Sequence, residues 1–161
     1  MKTPQPSSLN CFVCGVENPV GLHLHFYNSA PGEVVAEITV PERFQGYPGI
    51  VHGGVIAAML DETAGRSLMG SEEKPRFMFT GRLNIRYHKN VPTGQPLRLV
   101  GRAGIDKGRS ATATGAIYNQ AGEMLAEVEA LLVNVPDHMV QARDLNSFGW
   151  KVYPDEKSDE E

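Results

Sequence analysis

Two acids, Asp61 and Glu62, interrupt the otherwise almost entirely apolar run of "PGIVHGGVIAAMLDETAG", Pro48 to Gly65, in which a histidine and two adjacent glycines come first. A carboxylate sunk among apolar groups has a raised pKa and becomes a stronger base, and its burial is costly without a partner or a task. Ala57, Ala58, Ala64 and Gly65 lie about one turn to either side of Asp61, leaving a shallow surface of small residues onto which another group can move. Asp61 is therefore the leading candidate for activating water or attacking an electrophile directly. The competing reading is a structural acid that pairs with a buried arginine or caps a backbone group. Glu62 projects about 100° further round a helix and ranks below Asp61, either facing solvent or pairing with Arg66 at the i+4 position.

A helix entrance exposes unpaired N–H groups at the positive end of the helix dipole, and glycine lets another group approach them closely. Gly53 or Gly54 could thus cradle a developing oxyanion, with His52 either capping and holding the loop or acting directly. Eight residues of helix separate Gly53 from Asp61, about 12 Å along the axis. A carbonyl held by one and attacked by the other needs the two only about 7 Å apart. Side-chain lean or a bridging water can shorten the difference, but a site assembled between two copies of the chain is favoured, with two equal sites in a symmetric dimer.

These residues need one long helix and something to lay it on. Helix-compatible sequence runs from Gly53 to about Met69 and stops at Gly70 and Pro75, with Val55, Ile56, Met59, Leu60 and Ala64 at helical spacing. Before it, "GLHLHFY" and "GEVVAEITV" alternate as strands around "NSAPG" and read as a hairpin. After it, "RFMFTGRLNIRYH" sets Phe77, Phe79, Leu83, Ile85 and Tyr87 on one face and Thr80, Arg82, Asn84, Arg86 and His88 on the other. Three further strands follow in "QPLRLVGRAGID", "RSATATGAIYN" and "EMLAEVEALLVNV", divided by the turns "DKG" and "QAG". One helix, about six strands and no βαβ repeat predict an α+β fold, an antiparallel sheet wrapped around a central helix.

The chain has 161 residues, of which 41% are hydrophobic, enough for one core in one domain. A polar tail is expected over residues 1–10, the domain over 11–135, and a C-terminal extension with an acidic, disordered end over 136–161. Neither end is expected to carry chemistry. With no signal-like start and no apolar run of bilayer length, the expectation is a soluble, cytoplasmic protein without membrane contact. Two cysteines suit a reducing compartment. The net charge is −4, yet Lys74 to Arg109 carries nine basic side chains against Asp106 alone, a local excess of about +8. Such a patch on an acidic protein suits an anionic small ligand better than nucleic acid, although solvated strand edges account for it equally well.

At "PGIVHGG" with Asp61 nine positions after His52, at "TGRLNIRY", and at "CFVCGVENPVGLHLHF", the chain resembles the hotdog-fold thioesterases of the phenylacetate-pathway and mammalian thioesterase-superfamily type, over about residues 11 to 135. The resemblance implies a hotdog fold, a dimer or dimer of dimers with interfacial sites, and hydrolysis of acyl-CoA thioesters without a cofactor. It maps the family's base or nucleophile onto Asp61, its oxyanion N–H onto Gly54 or Gly53, its histidine onto His52, and its water-positioning hydroxyl onto Thr80. Many relatives carry an asparagine six residues before the histidine. Here Gly46 stands there with Gln45 beside it, so that either Gln45 substitutes or the contact is absent. Gln45, Glu62, Asn84, Arg82, Arg86 and Lys89 are the candidate substrate contacts, with Lys107 a further phosphate contact. Met59, Phe77, Met78 and Phe79 could line an acyl tunnel or stack on a ring.

Two other classes compete. Cys11 and Cys14, followed by His23 and His25, supply enough ligands for zinc, though not at a standard finger spacing. A non-catalytic acyl-CoA binder would use the same pocket without a competent acid. A dehydratase-type fold would carry a histidine where Arg43, Phe44 and Gln45 stand, which counts against dehydration.

Overall fold

The computed structural model describes residues 1–141, 145 and 147–154. Seven strands form one antiparallel sheet: β1 (Thr3–Pro4), β2 (Phe26–Ala30), β3 (Glu33–Thr39), β4 (Met78–Tyr87), β5 (Pro96–Asp106), β6 (Ser110–Tyr118) and β7 (Met124–Asn134). Their order across the sheet is β1-β2-β3-β5-β6-β7-β4. The helix α1 (Gly53–Arg66) carries the chain from β3 to the far edge, so that among the described residues β4 is an edge strand paired only with β7.

The helix lies on the sheet through Ile56, Met59, Leu60 and Ala64, each at most 4% exposed and packed against Leu97, Leu99, Ile117 and Val128. Its close approach rests on two glycines that face each other across β5 and β6, Gly101 and Gly115. A Cβ on Gly101 would lie 2.2 Å from the Thr63 carbonyl oxygen, and one on Gly115 would lie 3.4 Å from that of Leu60. Larger residues there would lift the helix off the sheet.

The structure moves three boundaries. The first hairpin turns at Pro31-Gly32, and its leading strand begins at Phe26 rather than Gly21. The backbone N–H groups of Leu22 and Leu24 are taken instead by the carbonyls of Phe12 and Val13, each at 2.8 Å. The N-terminal tail, expected to fray, pairs as β1 with Tyr27 and Asn28 and buries Gln5 and Ser7. The extension beyond residue 135 forms α2 (Asp137–Gln141) and returns to bridge Ser7 through Lys151. Trp150 there meets Phe77 edge-on with ring centroids 5.2 Å apart. The expected acidic, disordered end at residues 155–161 lies outside the described residues. Among the described residues no helix is long and apolar enough to cross a membrane.

The largest departure is in β4. Thr80 pairs with Leu132 and Arg82 with Leu131, so Gly81 is an extra residue that breaks the alternation. Thr80 therefore shares the helix-facing side with Leu83 and Ile85, not the polar side with Arg82 and Asn84 on which strict alternation places it. Phe79, assigned to the inner face by the same count, is 50% exposed on the outer one.

Candidate functional site

The bulge at Gly81 brings the Thr80 hydroxyl to Asp61, donating to Oδ1 at 2.5 Å across 19 residues of sequence. Oδ2 has no hydrogen-bond partner among the described residues, which leaves it free for a water molecule or substrate. Burial pushes the Asp61 carboxyl above the ordinary aspartate range. The Thr80 hydrogen bond pulls it partly back, and the neighbouring Glu62 charge raises it again. The arrangement suits a base: one oxygen is pinned, the other open, and proton affinity is raised by the apolar surroundings.

Glu62 is not a free acid. Arg66 Nε donates to its Oε1 at 2.8 Å, one turn along the helix. Arg66 itself is 1% exposed, donates through Nη1 to the Pro6 carbonyl at 2.5 Å, and lies over the rings of Phe26 and Trp150 at 4.9 and 5.2 Å. The buried arginine foreseen as a structural partner for Asp61 thus serves Glu62 and the N-terminal arm instead.

At the helix entrance His52 is the N-cap, and its Nδ1 accepts the Gly54 N–H at 2.9 Å. That commits the Gly54 donor and the δ nitrogen of the ring to each other. The Val55 and Ile56 N–H groups are taken by the His52 carbonyl, so Gly53 is the entrance donor with no partner among the described residues. Tyr87, whose chemistry the sequence reading passed over, donates its hydroxyl to the Gly53 carbonyl at 2.9 Å and steadies this turn from β4. A tyrosine ending a half-buried strand beside the helix start was the available signal. At Gly46 a Cβ would stand 3.3 Å from His52 Cα, leaving little room for a larger side chain. Beside it, Gln45 Oε1 accepts the Gly49 N–H at 3.1 Å within the loop.

The remaining sequence candidates lie elsewhere in the chain. Arg82, Asn84 and Arg86 stand on the outer face of β4, turned away from Asp61. Lys89 is paired with Glu123 at 3.0 Å. Of the candidate phosphate contacts, Arg82, Arg86 and Lys107 have no ion-pair partner among the described residues.

Asp61 opens on a cavity of about 250 Å³ whose walls include Thr80, Glu62, Cys11, Cys14 and Trp150. An adjoining apolar cavity of about 310 Å³ shares Ser8, Phe77, Met78 and Trp150 with it and extends between Phe79, Val135 and Met139. The two ends of the chain, expected to carry no chemistry, thus supply walls of both spaces. Cys11 and Cys14 are free thiols. Hydrogen bonding from the Cys14 thiol pulls Cys11 down to about 6, and the same interaction together with burial pushes Cys14 up. His23 and His25 do not join them. His23 meets the Asn18 carbonyl at 2.5 Å, and the side chain near both thiols is Glu62.

Comparison with known proteins agrees with this architecture. The family model of the thioesterase superfamily matches residues 48–126, which include the helix entrance, Asp61 and Thr80. Acyl-coenzyme A thioesterase THEM4 of Rattus norvegicus is 35% identical over 92 residues, 56% of this chain and 38% of that protein. The chain thus spans less than half the length of that relative. Among solved structures, a thioesterase superfamily protein superposes with a TM-score of 0.70 at 32% identity, covering 76% of this chain and 59% of the other. Zebra fish thioesterase superfamily member 2 superposes with a TM-score of 0.64 at 24% identity, covering 76% and 87%. A single long helix on an antiparallel sheet, with the acid of its third turn facing β4, is the hotdog arrangement, and residues 48–126 of the chain are similar to the thioesterase superfamily.

Proposed function

We propose that the protein hydrolyses acyl-CoA thioesters, with Asp61 as general base. The observation that carries this reading is the Asp61 carboxylate, half-buried, pinned through Oδ1 by Thr80, open through Oδ2, and lining a cavity that adjoins an apolar one. Water held at Oδ2 gives its proton to Asp61 while its oxygen bonds to the thioester carbonyl carbon. The carbonyl oxygen gains negative charge, for which the Gly53 N–H at a helix entrance is the fitting donor. Collapse of the tetrahedral adduct breaks the C–S bond, the proton passes to the departing thiolate, and free acid and CoA result. The rat relative's name supports the substrate class. Arg82, Arg86 and Lys107, which carry no ion pair among the described residues, are candidates to meet CoA phosphates.

The site is shared between two copies. Gly53 and Asp61 lie about 12 Å apart along one helix, against the about 7 Å that one carbonyl spans, which favours an acid supplied by a second copy. β4 offers a free edge of 10 residues, with Phe79 and Tyr87 exposed beside it, and such an edge is normally covered. Pairing of two β4 edges about a twofold axis brings each helix entrance toward the other copy's Asp61 and gives a homodimer, which can pair again into a dimer of dimers. Two free thiols suit a cytoplasmic setting.

Incubation with a panel of acyl-CoAs, with released thiol measured, tests the reading. Turnover should rise from acetyl to longer or aromatic acyl groups, because the adjoining cavity has apolar walls. Binding across the panel without release of thiol would instead make the protein a non-hydrolysing acyl-CoA binder.

A further inference from the structure

The segment Cys11-Phe12-Val13-Cys14-Gly15 is bent into a tight turn whose N–H groups point at sulfur. The Cys11 Sγ accepts the Val13 N–H at 3.4 Å and the Cys14 N–H at 3.5 Å. The turn closes through the Gly15 N–H and the Cys11 carbonyl at 2.9 Å, and a Cβ on residue 15 would stand 2.3 Å from that same oxygen, so only glycine fits. Two N–H donors on the leading sulfur of a C-x-x-C-G turn prepare it to carry negative charge. Across from it, one carboxylate oxygen of Glu62 and both sulfurs lie within 4.8 Å of one another. We propose that Cys11, Cys14 and Glu62 bind one zinc ion, which fastens the N-terminal arm to α1 one residue from Asp61.

Zn–S bonds of about 2.3 Å and Zn–O bonds of about 2.0–2.2 Å put the ligand atoms of one tetrahedron roughly 3.6–3.8 Å apart, so closure on an ion requires shifts of about 1 Å. Two thiolates select zinc over magnesium or calcium, and two are too few for an iron–sulfur cluster. The surroundings supply the rest of a metal site. Arg66 holds Glu62 at 2.8 Å, the outer hydrogen bond that orients a ligating carboxylate. Its Nη2 is buried without a partner among the described residues, and the guanidinium is close enough to Cys14 to sense its charge. Two thiolates, one carboxylate and one guanidinium sum to a charge of about −2, which a divalent cation balances. The fourth position falls to the cleft that all three ligands line. Binding releases the two thiol protons. The hydrolysis proposed above neither needs this ion nor is needed by it.

Cobalt(II) titration of the chelator-treated full chain, under reducing conditions, tests the site. It should saturate at one equivalent and develop a thiolate-to-cobalt charge-transfer band that zinc bleaches. Cys11→Ser and Cys14→Ser, checked for folding by circular dichroism, should each abolish the band. Glu62→Gln should weaken binding at least about tenfold, and His23→Ala and His25→Ala should leave it unchanged. A wild-type chain that retains two freely titrating thiols and gives no band overturns the proposal. So does a chain that forms only a Cys11–Cys14 disulfide, or a band that survives both cysteine changes.

Discussion

The first and third turns of α1 are built in different ways. The entrance is exposed and capped by short-range bonds, with the Tyr87 hydroxyl steadying it from β4: His52 accepts from Gly54 two residues on, and the His52 carbonyl takes the next two N–H groups. Asp61 is half-buried and depends on distant chain: Thr80 arrives from β4 across 19 residues, and the neighbouring Glu62–Arg66 pair is walled in by the N-terminal arm. The difference teaches where each kind of group can be made. A backbone donor needs only a helix start with no side chain in the way. A base of raised pKa needs apolar walls, and those come from segments far off in sequence.

Removal of the acid should give the largest effect. Asp61→Asn keeps the shape and a hydrogen bond to Thr80 while removing the base, and it should lower kcat between about 10² and 10⁴-fold. The same change should not lower the thermal midpoint at neutral pH. A carboxyl whose folded pKa lies above its unfolded value favours the fold below the unfolded pKa and loses that contribution as pH rises through the folded one, so at neutral pH the charge is a burden. A marked drop in midpoint would recast Asp61 as a structural acid.

Next comes Gly53→Pro. Proline is at home at the first helical position, and His52, with φ −58° and ψ 136°, already has the backbone that a following proline requires. The substitution deletes one N–H and should lower kcat about 10² to 10³-fold with the fold intact by circular dichroism. Unchanged turnover would move the oxyanion donor elsewhere.

Thr80→Val should cost about tenfold and also move a pH profile. Asp61 must be deprotonated to act, so kcat/KM falls as pH drops through its raised pKa. Loss of the hydroxyl removes the one interaction that lowers this pKa, and the acid limb should shift to higher pH, while Thr80→Ser should hold it in place. The smallest change is Tyr87→Phe, which frees the Gly53 carbonyl at the exposed end. It should cost about threefold in kcat with the acid limb unmoved.

The same contrast explains what could be read from the residues. The entrance was legible because capping and glycine chemistry are local, and the Glu62–Arg66 pair was legible because i+4 spacing brings it together in any helix. The strands were found by their alternation, and with them the antiparallel sheet on one helix. The face of Thr80 was not, since a bulge at Gly81 leaves the composition of "TGRLNIRY" unchanged while reversing the side on which its first residue falls. Nor were the roles of the chain ends: the first eight residues look polar and unstructured, yet Gln5 and Pro6 bond Arg66 and Ser8 lines the cleft. Only tertiary packing tells a frayed tail from a strap, and the choice between Gly53 and Gly54 likewise waited on which of them His52 engages.

A mixing experiment tests the shared site most directly. Asp61→Asn and Gly53→Pro chains, each nearly inactive alone, would be combined in equal amounts and allowed to exchange subunits. If each site joins the entrance of one copy to the acid of the other, half of the dimers are mixed and each holds one intact site, so about a quarter of the wild-type activity should return. If activity stays at the level of the parents although mixed dimers are shown to form, both groups belong to one chain and the interfacial account is wrong.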